Sequence, residues 1–185
     1  GQLAGPYCSS PEGINTAQQL ADRLNTNKTL HLLILPGQRK LPVILPGGKV
    51  ILFENMVTAS NDPAVTAGYI LLALAAYEHK DPLQAYLEQA GPLISLSLVA
   101  SNDLSDTQIN QLAKIALSQP LTPPPQAALL NLFTTSKVSS SAFARVKSSQ
   151  KAQGLITQDP FLAGSSYPVL TDGAWLGLQA ICSDL

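Results

Sequence analysis

The chain is poor in charge and in histidine. Of its 185 residues only 12% are charged and two are histidines, whereas roughly a quarter of the residues of an average soluble domain are charged. The 11 basic and 12 acidic residues nearly balance, and no run of like charge stands out. Nucleic-acid binding requires a basic patch, so we expect no nucleic-acid partner.

Long hydrophobic runs are also missing. The longest apolar stretch without charge, Pro63–Tyr77, is shorter than the roughly 20 residues that a helix needs to cross a bilayer. We therefore expect a buried core helix there and no transmembrane segment. Hydrophobic residues still make up 45% of the chain, which is long enough to enclose a core. These properties predict a single domain over 1–185, with an irregular lead-in over 1–13.

Cysteine is scarce: Cys8 and Cys182 are the two in the chain, one near each end. Domain termini often lie close together, so a disulfide between them is a reasonable expectation. In the entropic account, closing so long a loop restricts the unfolded chain by roughly 4–5 kcal/mol. Disulfides belong to oxidising compartments, so we expect a periplasmic or secreted protein whose leader has been removed. The alternative is two unrelated buried thiols.

Hydrophobic periodicity predicts an early helix followed by a small sheet. Apolar residues at helical spacing predict a helix over 15–25. Short apolar runs predict strands over 30–35, 41–45 and 49–53. The Pro46-Gly47-Gly48 turn joins the last two strands in a predicted hairpin.

A helix that is apolar nearly all round follows the predicted hairpin. Asp62 and Pro63 mark its start, and His79 and Lys80 suit the negative end of its dipole. Such a helix is central and buried. Further helices are predicted over 83–90, 105–117, 126–133 and 140–147 and after Thr171, with a loop over 154–166. The predicted fold class is α+β, mainly helical, with a small antiparallel sheet packed on a buried central helix.

The stretch from Val43 to Pro82 resembles the core of the minigluzincins. These are compact zinc metallopeptidases of the HtpX-like and prenyl-protease-like group. The resemblance lies in the order of a Pro-Gly-Gly turn at 46–48, a strand, the Asp62-Pro63 helix start, and the Lys80-Asp81-Pro82 step after that helix. In the family, this helix carries the HExxH motif.

The chain departs from the family at the catalytic motif. In this register the HExxH positions are 72–76, and Leu72, Ala73 and Ala76 replace the first histidine, the glutamate and the second histidine. Zinc peptidases need two imidazoles one helical turn apart and a carboxylate to deprotonate the bound water. The family's third ligand would fall near Asp106. We therefore expect no catalytic residue, no metal and no cofactor.

The resemblance implies a pseudoenzyme that retained peptide binding. In the family, a strand beside the zinc helix pairs with an extended substrate, and its equivalent here is Lys49, Val50, Ile51, Leu52 and Phe53, or its hairpin partner. The expected function is an inactive peptidase homologue that binds a peptide or protein partner. Two alternatives stay open: a structural or assembly domain without a ligand site, and a hydrolase with a relocated site around His31 or His79.

Overall fold

The computed structural model describes residues 7–24, 30–45, 48–80, 114–115, 117–118, 121–147, 150–162 and 167–183. Within them lie seven helices of assigned bounds and three strands, which are numbered in chain order below. The predicted helix over 83–90, most of the one over 105–117, and Asp106 lie outside the described residues. No helix in the described part of the chain is long and apolar enough to cross a membrane.

The first helix, α1 (Pro11–Arg23), begins earlier than the sequence pattern predicts. The hydroxyl of Ser10 accepts a hydrogen bond from the N–H of Gly13, and Pro11 occupies the first turn. The irregular lead-in predicted over 1–13 therefore ends by Ser10. The apolar periodicity missed this start because the cap and first turn of a helix are polar.

The sheet contains β1 (His31–Leu35), β2 (Val43–Leu45) and β3 (Lys49–Phe53) in the order β1-β3-β2. The hairpin is confirmed, since β2 and β3 pair antiparallel. However, β1 pairs parallel with β3, so the sheet is mixed: the mainly helical α+β class is confirmed, and the expected antiparallel pairing holds for the β2–β3 hairpin. The interior of β3 is completely buried, which explains why this strand takes the central position.

The central helix is confirmed. A short helix, α2 (Glu54–Thr58), leads to α3 (Pro63–His79), where the carboxylate of Asp62 accepts from the N–H of Ala64 at 2.8 Å. Residues on all sides of α3 are buried against the sheet and later helices. Gly68 permits one close contact, because a side chain there would collide with the ring of Phe143.

Four later helices complete the described fold. They are α4 (Gln126–Thr135), α5 (Ser140–Lys147), α6 (Gln150–Thr157) and α7 (Asp172–Gln179). The predicted α5 and the Thr171 cap of α7 are confirmed. The loop predicted over 154–166 is wrong at its start, where α6 continues with Leu155 buried. Gly154 is tolerated in this helix because the side-chain amide of Gln126 fills the space of a Cβ.

The predicted disulfide is present between Cys8 and Cys182, with the two Cα atoms 4.5 Å apart. Backbone bonds reinforce the junction: the N–H of Cys8 donates to the carbonyl of Ile34 in β1, and that of Ser10 donates to Ile181. One covalent bond therefore ties the segment before α1 to the turn after α7, beside the edge of the sheet.

Candidate functional site

The positions that the sequence resemblance aligns with HExxH lie in the interior of α3. Ala73 and Ala76 are buried, and Leu72 is half-buried. None of the three lines either of the two cavities described below. Among the described residues, no group of three or more His, Cys, Asp or Glu side chains could hold a metal ion.

The strand predicted to pair with a peptide cannot do so. Lys49–Phe53 is the central strand, and β1 and β2 occupy both of its edges. This prediction is wrong because a local pattern identifies a strand but not its neighbours. On the outer edge of β1, the carbonyl of Ile34 accepts from the N–H of Cys8, whereas the alternative, the hairpin partner β2, is an edge strand of the described sheet.

Neither histidine lines either of the two cavities described below. His31 begins β1 and His79 ends α3, and both are exposed. A helix of 17 residues is roughly 25 Å long, so His79 lies that far from the start of α3. The alternative of a relocated histidine site therefore receives no support from either cavity lining.

A cavity of about 360 Å³ opens beside the first turn of α3, and we call it the α3–α5 cavity. It lies between the N-terminal ends of α3 and α5 and the chain around 159–170. Its polar lining comprises Asp62, Ser139, Ser141, Arg145 and Asp159, and its apolar lining includes Phe161, Leu162 and Tyr167. The volume lies at the lower end of the range typical of ligand pockets.

Asp159 organises the polar side of this cavity. Its buried carboxylate accepts from the hydroxyl of Ser139 at 2.5 Å and from the N–H groups of Ser141 at 3.0 Å and Phe161 at 2.9 Å. Burial acts to raise the pKa of Asp159, but the hydrogen bonds from Ser139, Ser141 and Phe161 outweigh it and hold the pKa below the ordinary value. The carboxylate therefore stays ionised, caps α5 and is a poor general base.

Ser141 is the unusual residue of the lining. It is only 6% exposed, yet its hydroxyl has no hydrogen-bond partner. A buried polar group without a partner costs about 1–3 kcal/mol, and native proteins keep few of them. The hydroxyl oxygen is enclosed by protein atoms, so it is an unsatisfied buried group and not a contact point for a molecule in the cavity.

The other polar side chains of the lining differ in the interactions that they already make. Asp62 is exposed, and one of its carboxylate oxygens accepts from Ala64 while the other has no partner in the described part of the chain. Arg145 lies one turn after Ser141 on α5 and is engaged in an interaction of its own. Leu162 and Tyr167 at the rim are 61% and 59% exposed.

A second cavity, of about 310 Å³, lies beside β2 and is lined by Arg39, Lys40 and apolar residues. The side-chain amide of Asn55 bonds both the N–H and the carbonyl of Arg39, at 3.0 and 2.9 Å, and fixes this loop. Nearby, burial lowers the pKa of Lys147 to about 8, and its ammonium donates to the carbonyl of Lys40. The α3–α5 cavity is the stronger candidate, because its lining combines the buried carboxylate of Asp159 with the exposed apolar side chains of Leu162 and Tyr167.

Part of this site is predictable from the sequence. The sequence predicts Asp62 at the start of α3 and a helix over 140–147, which is α5. It does not identify Asp159, which lies 20 residues from Ser139 in a segment predicted to be a loop. The only local signal is an aspartate just after a helix, which is too common to indicate a contact.

Comparisons with protein-family models, with curated proteins and with solved structures find no match for the chain. The function proposed below is therefore inferred from the geometry of the α3–α5 cavity and from the sequence resemblance described above.

Proposed function

We propose that this chain is a non-catalytic, exported domain that binds a peptide or protein segment in the α3–α5 cavity. The observation that carries the proposal is the cavity of about 360 Å³, whose lining combines polar groups with the exposed apolar side chains of Leu162 and Tyr167. A bound segment could bury this exposed apolar surface, which would contribute favourably to binding.

The rim of the cavity supports a peptide more than a small polar solute. Leu162 and Tyr167 expose most of their apolar surface at the mouth, where they could cover side chains of a bound segment. The polar groups of the lining lie at the start of α3, along α5 and at Asp159. A few convergent polar groups beside an apolar rim are typical of binding sites.

The chemistry of the site favours binding without turnover. Asp159 has a lowered pKa and three hydrogen bonds, so it is unsuited to accept a proton at neutral pH. Neither described cavity is lined by a histidine. With Leu72, Ala73 and Ala76 at the HExxH positions, we propose a minigluzincin-like pseudoenzyme, an interpretation that rests on the sequence resemblance over Val43–Pro82.

A periplasmic or secreted location is part of this proposal. The disulfide between Cys8 and Cys182 is typical of proteins that fold in an oxidising compartment. The second candidate function is an assembly domain. The exposed side chains of Ile14 on α1 and Leu176 on α7, two helices that pack together, favour it as an apolar contact surface.

Titration of the ¹⁵N-labelled protein with a peptide library, followed by NMR, tests the binding function. We expect shifts that map to the α3–α5 cavity and that weaken at least about tenfold in affinity with Leu162→Ser, since a buried leucine contact contributes about 1.5–3 kcal/mol. Leu176→Ser is the matched control, because Leu176 is equally exposed at 64% and lies outside the cavity.

Two outcomes would contradict the proposal. Equal weakening by Leu162→Ser and Leu176→Ser would show that the contact is unspecific. Cleavage of the library peptides, abolished by a variant of the cavity such as Ser141→Ala, would show that the site is catalytic.

A further inference from the structure

We propose that the second cavity, beside β2, binds a small amphipathic carboxylate such as a medium-chain fatty acid, with its carboxylate on Arg39 and Lys40. We call this space the β2 cavity; its lining includes Arg39, Lys40, Leu41, Leu117 and Leu121. It shares no lining residue with the α3–α5 cavity, so this inference is independent of the proposed peptide binding.

The first step concerns the charge of the lining. Arg39 and Lys40 are adjacent cations, and none of the described residues that line the β2 cavity carries a carboxylate. Glu54 contacts the same loop, but it does so at the N–H of Gly37, outside the lining. Because the whole chain has 11 basic and 12 acidic residues, two cations without a carboxylate in the same lining are a local excess. An anion therefore complements this cavity.

The second step is to ask which donors are left for an anion. The guanidinium of Arg39 donates through Nη1 to the carbonyl of Leu117 at 2.7 Å and lies over the ring of Phe53, 5.3 Å from its centroid. Its Nε and Nη2 groups make no hydrogen bond to the described residues, and neither does the ammonium of Lys40. The planar edge of a guanidinium can bind both oxygens of a carboxylate, and charge on both partners strengthens such bonds.

The third step is that the loop carrying the two cations is fixed before a ligand arrives. The side-chain amide of Asn55 bonds the N–H and the carbonyl of Arg39, at 3.0 and 2.9 Å. The ammonium of Lys147 donates to the carbonyl of Lys40 at 2.8 Å. These bonds engage the backbone of the loop and leave the cationic ends of both side chains to a ligand. A pre-organised site loses less conformational entropy on binding.

The fourth step separates an amphipathic anion from a simple one. Leu41, Leu117 and Leu121 line the same cavity, and Leu41 is 39% exposed. An inorganic anion would leave this apolar surface in water, whereas an alkyl chain attached to the carboxylate would bury it. The volume of about 310 Å³ is at the low end for ligand pockets, which suits one unbranched chain of medium length.

The experiment titrates the ¹⁵N-labelled intact chain with octanoate, octanol and acetate, each below the concentration at which octanoate forms micelles, and follows the NMR shifts. We expect octanoate to shift residues of the β2 cavity and to bind at least about tenfold more tightly than octanol, since charge-assisted hydrogen bonds are the strong ones. From butyrate to octanoate, the affinity should rise by up to about fourfold for each added methylene, because each one buries more apolar surface.

Cavity variants separate the two parts of the ligand. Arg39→Gln and Lys40→Gln should each weaken octanoate at least several-fold and leave octanol unchanged, and both positions are exposed, so the fold should stay intact. Leu41→Ser should weaken octanoate more than acetate. Lys49→Gln is the matched control, because Lys49 is an exposed cation at the start of β3 and lies outside the cavity.

Four results would overturn the inference. Octanol that binds as tightly as octanoate would mean that the cations contribute nothing, and acetate that binds as tightly would mean that a simple anion suffices. Equal weakening by Lys49→Gln would assign the attraction to overall charge. Binding of phosphatidylglycerol vesicles at these residues, or no binding at all, without binding of octanoate would exclude a small ligand. Each result leaves the peptide proposal unaffected, because that proposal is measured at the other cavity.

Discussion

The carboxylate of Asp159 is buried, and the hydrogen bonds that it accepts stabilise its charged form. Its pKa is lower in the folded than in the unfolded chain. Its contribution to stability is therefore present above the ordinary aspartate pKa and is lost as the pH falls through the lower, folded value. The residue links α5 to the segment after α6, so its charge stabilises the polar side of the cavity.

This linkage predicts the effect of Asp159→Asn. At pH 7 the variant should lose about 1–3 kcal/mol of unfolding free energy. The amide of asparagine has only one oxygen, so it cannot accept hydrogen bonds at both positions as the carboxylate does. Below the folded pKa, where the wild-type carboxyl is also neutral, the difference should shrink. Urea unfolding at pH 7 and at successively lower pH measures it, with Asp22→Asn as a control expected within about 0.5 kcal/mol. A loss that does not shrink as the pH is lowered would contradict the prediction.

Two adjacent serines of α5 provide a matched pair. The hydroxyl of Ser140 donates to the carbonyl of Leu155 at 2.6 Å, whereas that of Ser141 has no partner, and both residues are buried. We expect Ser140→Ala to destabilise the chain by about 1 kcal/mol and Ser141→Ala to leave it unchanged or more stable, because only the first removes a hydrogen bond. Thermal unfolding of both variants measures the difference. A larger loss for Ser141→Ala would mean that its hydroxyl is satisfied in solution.

At the scale of elements, Arg23 joins three segments. From the last turn of α1 its guanidinium donates to the carbonyls of Ser136 at 2.9 Å, Pro168 at 3.0 Å and Tyr167 at 3.3 Å. A cation suits the C-terminal ends of α1 and α4, where carbonyl groups point outward. The hydroxyl of Ser136 donates to the carbonyl of Leu24 and strengthens the same junction.

The guanidinium of Arg23 is planar and donates to several carbonyls at once, so we predict that lysine cannot replace it. We expect Arg23→Lys to cost about 1–2 kcal/mol of unfolding free energy, since an ammonium cannot reach carbonyls in this spread geometry. Chemical denaturation measures the loss. Arg39→Lys is the control: Arg39 is exposed and its side chain makes one hydrogen bond, to Leu117, so we expect at most about 0.5 kcal/mol. Equal effects would show that charge alone matters at position 23.

At the scale of the whole molecule, the disulfide joins residues that are 174 positions apart. A loop of this length removes much entropy from the unfolded chain. We expect Cys8→Ser with Cys182→Ser, or reduction of the wild type, to lower the unfolding free energy by about 2–5 kcal/mol. Urea unfolding with and without a reductant provides the measurement. Coincident transitions would mean that the bond constrains neither state.

The metal content is the second property of the whole molecule. Because Leu72, Ala73 and Ala76 offer no ligand atoms, we expect less than about a tenth of an equivalent of zinc in protein purified without chelators or metal-affinity tags. Elemental analysis measures it. About one equivalent would contradict the pseudoenzyme proposal and would direct attention to ligands outside the HExxH register.

Much of the local structure is predictable from the sequence alone. The Asp62-Pro63 start of α3, its buried character, the β2–β3 hairpin and the bounds of α5 all follow from caps, turns and periodicity that act over a few residues. The lack of histidine and glutamate at the positions that the resemblance aligns with HExxH is also a property of the sequence, because it depends only on which side chains are present.

Contacts between distant segments were decided only in the tertiary structure. Whether β3 is central or at an edge depends on where β1 docks, and a strand pattern carries no information about its neighbours. The α3–α5 cavity combines Asp62, Ser141 and Asp159 from three parts of the chain, and the missing partner of the Ser141 hydroxyl becomes visible only after packing has removed water from it. Caps and periodicity are local, whereas the desolvation that defines a site is a property of the assembled fold.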